Sequence, residues 1–134
     1  MFTKEDLIYS YTRKDALADG QQTNVDTLDP KVRSDAGIIY PVFITDSAMN
    51  IINESAALEL CDLKGVLWDI CYMFAFNAKR NSQNINPMKY TVYINKKRYD
   101  GSINAVPTEF YAEVGPMDID DPAPAVTIMR EEDL

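Results

Sequence analysis

Three closely spaced aspartates are the side chains of this chain best suited to metal chemistry. Asp118, Asp120 and Asp121 could offer carboxylate oxygens to a divalent cation, which would suit a metal-dependent hydrolase. The segment lacks the glycine and the distal glutamate of a calcium-binding loop. A solvated acidic turn is therefore the favoured interpretation, and a hydrolase using the Asp118–Asp121 loop stands as an alternative.

Composition excludes most other catalytic arrangements. The chain has no histidine, so Ser-His-Asp and Cys-His arrangements and Cys/His zinc sites cannot form. Cys61 and Cys71 would lie about 15 Å apart on one helix, too far for a disulfide, and are predicted to be buried thiols. Glycine-rich phosphate-binding motifs are also missing from the sequence. We therefore expect a protein that is not an enzyme, with no catalytic residues, no cofactor and no metal.

Charge is distributed in three blocks along the 134 residues. Residues 1–60 carry a formal charge of −5, residues 61–100 carry +4 and residues 101–134 carry −7, for a net charge of −8. A net charge of this size and sign disfavours general attraction to nucleic acid or to an anionic membrane. The basic middle block either pairs with the acidic arms within the molecule or forms a local anion site.

Length and hydropathy predict one domain, 1–134, with an acidic tail, 130–134, that is expected to be mobile. The N-terminus lacks the apolar region of a signal peptide. The longest apolar run, 66–78, is too short to span a membrane. A cytoplasmic protein is expected on these grounds.

The candidate anion-binding residues follow a predicted strand. Lys96, Lys97 and Arg98 could grip phosphates while Tyr93 and Tyr99 stack on a base. The favoured alternative is a solvated strand end whose charges discourage edge pairing with another chain.

A second group of candidate binding residues is centred on Asp69. This acid follows Trp68 in an apolar helix, where burial is costly unless the charge is paired. The favoured interpretation is an ion pair with Arg13 that locks the first helix onto the core, and the alternative is a pocket in which the pair contacts a polar ligand. Tyr9 and Tyr11 are interpreted as core or sheet-surface aromatics in preference to base-stacking platforms.

The elements that must position these residues predict an α+β fold. After a short opening strand, Thr12 and Asp15 form a capping-box pattern at the start of a helix that Gly20 ends. The strongest helix prediction begins at Asp62 and continues to about Lys79. Its apolar side chains cover nearly the whole circumference, which predicts a central helix buried on most sides.

The remaining pattern predicts a small, mostly antiparallel sheet and two or three shorter helices. Helices are predicted over residues 30–36 and 46–58, and strands over residues 23–28, 38–44, 90–94, 109–114 and 125–129. Asp100-Gly101 favours a hairpin turn, and residues 117–124 are predicted to form an acidic loop.

Several short phrases spread over nearly the whole chain carry a resemblance to a known family. They include Tyr11-Thr12-Arg13 with Asp19-Gly20, Gly37-x-x-Tyr40-Pro41-Val42, Leu67-Trp68-Asp69, Gly115-Pro116-x-Asp118 and Val126-Thr127-Ile128-Met129. In these phrases the chain resembles a family of small accessory proteins carried by phages, plasmids and other mobile elements, for which no activity is established. The resemblance implies a mobile-element setting and, for a phage-encoded chain, the cytoplasm of the host cell.

Two main functions are expected. The first is a counter-defence inhibitor that binds a host protein, with acidic arms that imitate DNA phosphates, although the +4 block interrupts such a surface. The second is the binding and sequestering of a small nucleotide signal in a cavity at the interface of a homodimer. The expected partner is thus a host protein or a nucleotide ligand, and neither nucleic acid nor a membrane is expected to bind directly.

Overall fold

The computed structural model describes residues 11–134, which form five helices and five strands within that range. The helices are α1 (Arg13–Ala18), α2 (Val25–Leu28), α3 (Val32–Asp35), α4 (Asp46–Ala56) and α5 (Leu63–Ala78). The strands are β1 (Gln22–Asn24), β2 (Val42–Thr45), β3 (Met88–Lys97), β4 (Ile103–Asp118) and β5 (Asp121–Met129), and a 3-10 turn follows at Glu131–Asp133.

The strands form one mixed sheet in the order β1-β2-β5-β4-β3. Strands β2 and β5 run parallel, whereas the other three neighbouring pairs are antiparallel. The predicted α+β fold with a mostly antiparallel sheet is therefore confirmed. Four shorter helices, rather than two or three, accompany α5 in the described part of the chain.

The main core lies between one face of this sheet and helices α4 and α5. Strand β3 alternates buried and exposed side chains from Met88 to Ile94, as expected for a strand with one covered face. The Tyr90 ring lies 6.1 Å from the ring of Phe110 on β4, and the buried Tyr90 hydroxyl donates a hydrogen bond of 3.2 Å to the Ile70 carbonyl. These contacts fix the position of α5 on the sheet.

Helix α5 is buried along one side only, so the prediction of burial on most sides is wrong. Leu67, Ile70 and Cys71 face the core, and burial raises the pKa of the Cys71 thiol to about 12. The opposite side carries large aromatic side chains that remain partly exposed. Because α5 lies on the outside of a single sheet, only one side of the helix meets the core. Apolar composition alone does not distinguish this arrangement from full burial.

Helix α1 begins and ends as the sequence predicts. The Thr12 hydroxyl accepts a hydrogen bond from the Asp15 amide, and the Asp15 carboxylate accepts one from the Thr12 amide, which completes the capping box. Gly20 follows the helix with a φ of +75°, a conformation that glycine adopts without strain. The predicted opening strand, with Tyr9, lies outside the described residues.

The C-terminal third of the chain is more regular than predicted. In place of an acidic loop over residues 117–124, β4 continues to Asp118 and β5 begins at Asp121, with a tight turn between them. The acidic tail forms a 3-10 turn that lies against the domain. The Asp133 carboxylate accepts hydrogen bonds from the hydroxyls of Thr45 and Ser47 and from the Arg130 amide.

Candidate functional site

The most distinctive surface is a row of aromatic side chains on the outer side of α5. Trp68, Tyr72 and Phe76 are four residues apart, so they lie above one another on one side of the helix. They remain 38%, 42% and 38% exposed, respectively. We define these three residues as the aromatic row.

Contacts within the aromatic row order its rings. The Trp68 and Tyr72 rings stack with centroids 4.6 Å apart and planes 9° apart, and the Tyr72 and Phe76 centroids are 6.4 Å apart. Arg80 is four residues beyond Phe76, and its guanidinium covers the end of the row. The guanidinium carbon lies 3.6 Å from the Phe76 ring centroid. Stacking of this kind restricts the rotamers of side chains that are not buried, so the row is a preorganised apolar surface.

A cleft of about 470 Å³ lies at the N-terminal end of the aromatic row. Its walls include Trp68, Asp69 and Lys64 of α5 and Asn95 of β3. Leu60 stands at the rim, fully exposed, and its φ of +64° places it in the left-handed region that non-glycine residues seldom adopt. The cleft therefore joins the aromatic row to a further exposed apolar side chain, that of Leu60.

Asp69 does not form the predicted ion pair with Arg13. The Arg13 guanidinium donates from Nε to the Met117 carbonyl at 2.6 Å. Its two terminal nitrogens donate to Gln22 Oε1 at 2.8 Å and to Thr127 Oγ1 at 3.0 Å, and its Cζ lies 4.2 Å from the Phe43 ring centroid. Arg13 thus ties α1 to the sheet on the side of β2 that carries Phe43, and the interpretation of an Arg13–Asp69 pair is wrong.

Asp69 lies instead on the exposed side of α5, beside the aromatic row. Among residues 11–134, no hydrogen bond or ion pair to its carboxylate is found. Partial burial raises the pKa of Asp69 from its ordinary value. The acid is therefore a charged neighbour of the row and not a structural partner of α1.

Tyr11, like Arg13, lies in the α1 region and is distant in sequence from the aromatic row. Its hydroxyl donates to the Asp19 carboxylate at 2.9 Å, and the side chain is exposed. The pKa of Tyr11 is raised, through desolvation first and then through the bond to Asp19 and its negative charge. Tyr11 and Arg13 therefore share one cleft, which does not include Asp69.

Asp118 holds helix α1 against the turn between β4 and β5. Its two carboxylate oxygens accept hydrogen bonds from the backbone amides of Arg13 at 3.2 Å, Lys14 at 3.0 Å and Ile119 at 2.9 Å. The amides in the first turn of a helix have no acceptor within the helix, and the Asp118 carboxylate provides one for the amides of Arg13 and Lys14. Within the described range, no group of three or more candidate ligands that could hold a metal is found.

Acidification should therefore weaken the attachment of α1. The pKa of Asp118 is lowered by the amide of Ile119 first, and also by the amides of Lys14 and Arg13 and by the Arg13 charge. A lowered folded-state pKa stabilises the fold at neutral pH, and this contribution is lost as the pH falls through that pKa, below about pH 4. We expect Asp118→Asn to be less stable than the wild type at pH 7, and the two proteins to converge in acid.

Urea denaturation of both proteins between pH 7 and pH 3 measures this effect. Asp120→Asn, an exposed neighbour in the same turn, is the matched control and should follow the wild type throughout. A constant difference between Asp118→Asn and the wild type at every pH would contradict the role of the carboxylate charge.

The predicted basic residues lie on an arm that projects beyond the rest of the sheet. Residues 92–97 of β3 pair with residues 103–108 of β4, whereas β5 pairs with β4 only from Tyr111 onward. Lys96, Lys97 and Arg98 are exposed on this arm, and no ion pair to them occurs in the described part of the chain. Arg98 and Ser102 close the hairpin through a backbone bond of 2.8 Å, with Gly101 at a φ of +86° as the sequence predicts.

The structure therefore places the predicted site residues in separate regions. Tyr11 and Arg13 lie at α1, Asp69 lies beside the aromatic row, and Lys96, Lys97 and Arg98 lie on the hairpin arm. Sequence reasoning missed the aromatic row because Trp68, Tyr72 and Phe76 were assigned to the core. The sequence did contain a signal, because polar residues share one side of the predicted helix with these rings. On a helical wheel, an arc of about 120° contains them together with Asp69, Lys79 and Arg80.

Comparison of the chain with protein-family models, with curated proteins and with solved structures gives no match. None of the helices described here has the length and apolar character needed to cross a membrane.

Proposed function

We propose that this chain is a non-enzymatic binding protein that contacts another protein through the aromatic row of α5. The observation that carries the proposal is the exposure of three ordered aromatic rings on one side of a helix. Large aromatic side chains are enriched at the centres of protein interfaces and contribute most of their binding energy. Their exposure has no benefit for folding, because water contacts surface that a core would bury.

In the mobile-element setting that the resemblance implies, the partner is a host protein, and the chain acts as a counter-defence inhibitor. This proposal does not require acidic arms that imitate DNA. The row is apolar at its centre and is flanked by charges of both signs, Asp69 at one end and Arg80 at the other. Such a mixed rim suits recognition of one protein surface better than imitation of a polyanion.

Sequestering of a nucleotide has weaker support. The cations expected to grip phosphates, Lys96, Lys97 and Arg98, lie exposed on the hairpin arm. The cleft beside Trp68 offers one cation, Lys64, against two acids, Asp62 and Asp69, and carboxylates repel phosphate groups. The hydrolase alternative is also weaker, because the Asp118 carboxylate already accepts three backbone hydrogen bonds.

Site-specific photocrosslinking in a bacterial host tests the proposed function. A benzophenone amino acid replaces Tyr72 in the row or, as the control, Tyr93, which is 67% exposed on β3. We expect a covalent product with a single host protein from position 72 and not from position 93. Excess untagged wild-type protein should suppress this product, because it competes for the same partner.

The same variants show whether the aromatic row is the contact surface. Identical products from both positions, or none from position 72, would contradict the proposed function. Retention of the crosslinked partner by a Tyr72→Ala protein, probed from position 76, would also count against it, because truncation of a central aromatic anchor should weaken binding at least about tenfold.

A further inference from the structure

The outer side of α5 is electrically asymmetric along its length. Asp69 lies in the N-terminal half of α5 and Asp62 caps its N-terminus, whereas Lys79 caps the C-terminus and Arg80 lies in the turn that follows. At 100° per residue, Asp69 lies about 60° from Tyr72, on one edge of the aromatic row. The Arg80 guanidinium lies over the Phe76 ring at the other end of the row. An acid and a base thus lie toward opposite ends of the aromatic row.

This arrangement is self-complementary in one orientation. A two-fold axis that pairs two antiparallel helices brings the same edge of each helix together, so the acidic half of one copy meets the basic end of the other. With Asp69 level with Arg80 of the second copy, a rise of 1.5 Å per residue places Tyr72 within about 2 Å, along the axis, of the level of Phe76 of that copy. A parallel pair would set acids level with acids and bases level with bases.

We propose that, in the absence of its partner, the chain pairs with a second copy of itself through antiparallel contact of the two α5 helices, which covers the aromatic rows. The inference rests on the proposed function, because it takes the row to be a protein contact surface, and it adds a regulatory step. A host protein must displace the second copy before it can bind.

The available surface sets the expected strength of self-pairing. The contact is limited to one side of a single helix, with three partly exposed aromatic rings, and we expect it to be smaller than the roughly 800 Å² per partner that is typical of specific interfaces. The dimer should therefore be weak, with a dissociation constant on the order of micromolar. Exchange with a tighter-binding host protein is then readily achieved by mass action.

Sedimentation equilibrium of the full chain over micromolar to submillimolar concentrations tests the inference by charge reversal. Asp69→Arg or Arg80→Glu alone should weaken self-association at least about tenfold, since each places like charges together twice in a symmetric dimer. The double variant in one chain should restore association, because each reversed residue again meets its opposite. Arg98→Glu on the hairpin arm is the control and should leave association unchanged.

The outcomes separate this inference from the proposed function. A chain that stays monomeric at every concentration, or a dimer that is indifferent to the reversals, overturns self-pairing. The crosslinks from position 72 to a host protein stand or fall independently of that result. A dimer that follows the reversals while position 72 yields no host product would keep the self-pairing and remove the host-protein function.

Discussion

Replacement of Arg13 by alanine is expected to lower the free energy of unfolding by about 3 kcal/mol, a large share of the 5–15 kcal/mol typical of a domain. The guanidinium is the shared donor for the Met117 carbonyl, Gln22 and Thr127, and it stacks on Phe43. Its removal leaves several partly buried acceptors without a donor, which costs more than the loss of the bonds themselves. Burial also lowers the pKa of Arg13, although the side chain stays charged.

Denaturant unfolding of three variants measures this effect. Arg13→Lys keeps the charge but lacks the planar fork of donors, so it should recover only part of the loss. Lys14→Ala, an exposed neighbour, is the matched control and should remain within about 0.5 kcal/mol of the wild type. Self-association of folded Arg13→Ala should be normal. Unchanged stability with lost association would instead place Arg13 in the binding site.

Leu67→Ala and Tyr72→Ala should differ sharply, although both residues lie on α5. Leu67 is fully buried against the sheet, and its truncation should cost about 3 kcal/mol through lost transfer energy and a cavity. Tyr72 faces water over 42% of its surface and contacts mainly its row neighbours, so its truncation should cost about 1 kcal/mol. Binding should show the reverse order.

Thermal unfolding and sedimentation of the two variants at equal concentration provide the comparison. The folded fraction of Leu67→Ala should self-associate as the wild type does, whereas Tyr72→Ala should be folded and monomeric. A Tyr72→Ala protein as unstable as Leu67→Ala would return the aromatic row to the core and contradict its role as a contact surface.

Local signals in the sequence predicted the elements well. Thr12 with Asp15, Asp62 before α5, and Asp100-Gly101 in the hairpin each act within a few residues, so their effect is visible without the rest of the fold. The length of β4 was underestimated because Pro107 and Pro116 weaken the strand pattern, although both residues are accommodated in the ladder.

The candidate site depended on information that is not local. Arg13 bonds to residues more than 100 positions away, and nothing in its neighbourhood distinguishes Met117 and Thr127 from Asp69 as partners. The four-residue spacing of the aromatic row can be read from the sequence. Its exposure depends on whether another part of the fold covers the outer side of α5. Hydrophobic periodicity reports which residues share a side of a helix and does not report whether that side is covered.

Strand β4 joins the basic hairpin arm at one end to the acidic turn at the other, and its 16 residues extend about 50 Å. This length is several times the Debye length of about 8 Å at physiological ionic strength. The charges at the two ends are therefore too far apart to offset one another, and each end presents its own local potential to the surroundings. A molecule of net charge −8 thus approaches a charged surface as an oriented dipole, with Lys96, Lys97 and Arg98 leading toward anions and Asp118 to Asp121 leading toward cations.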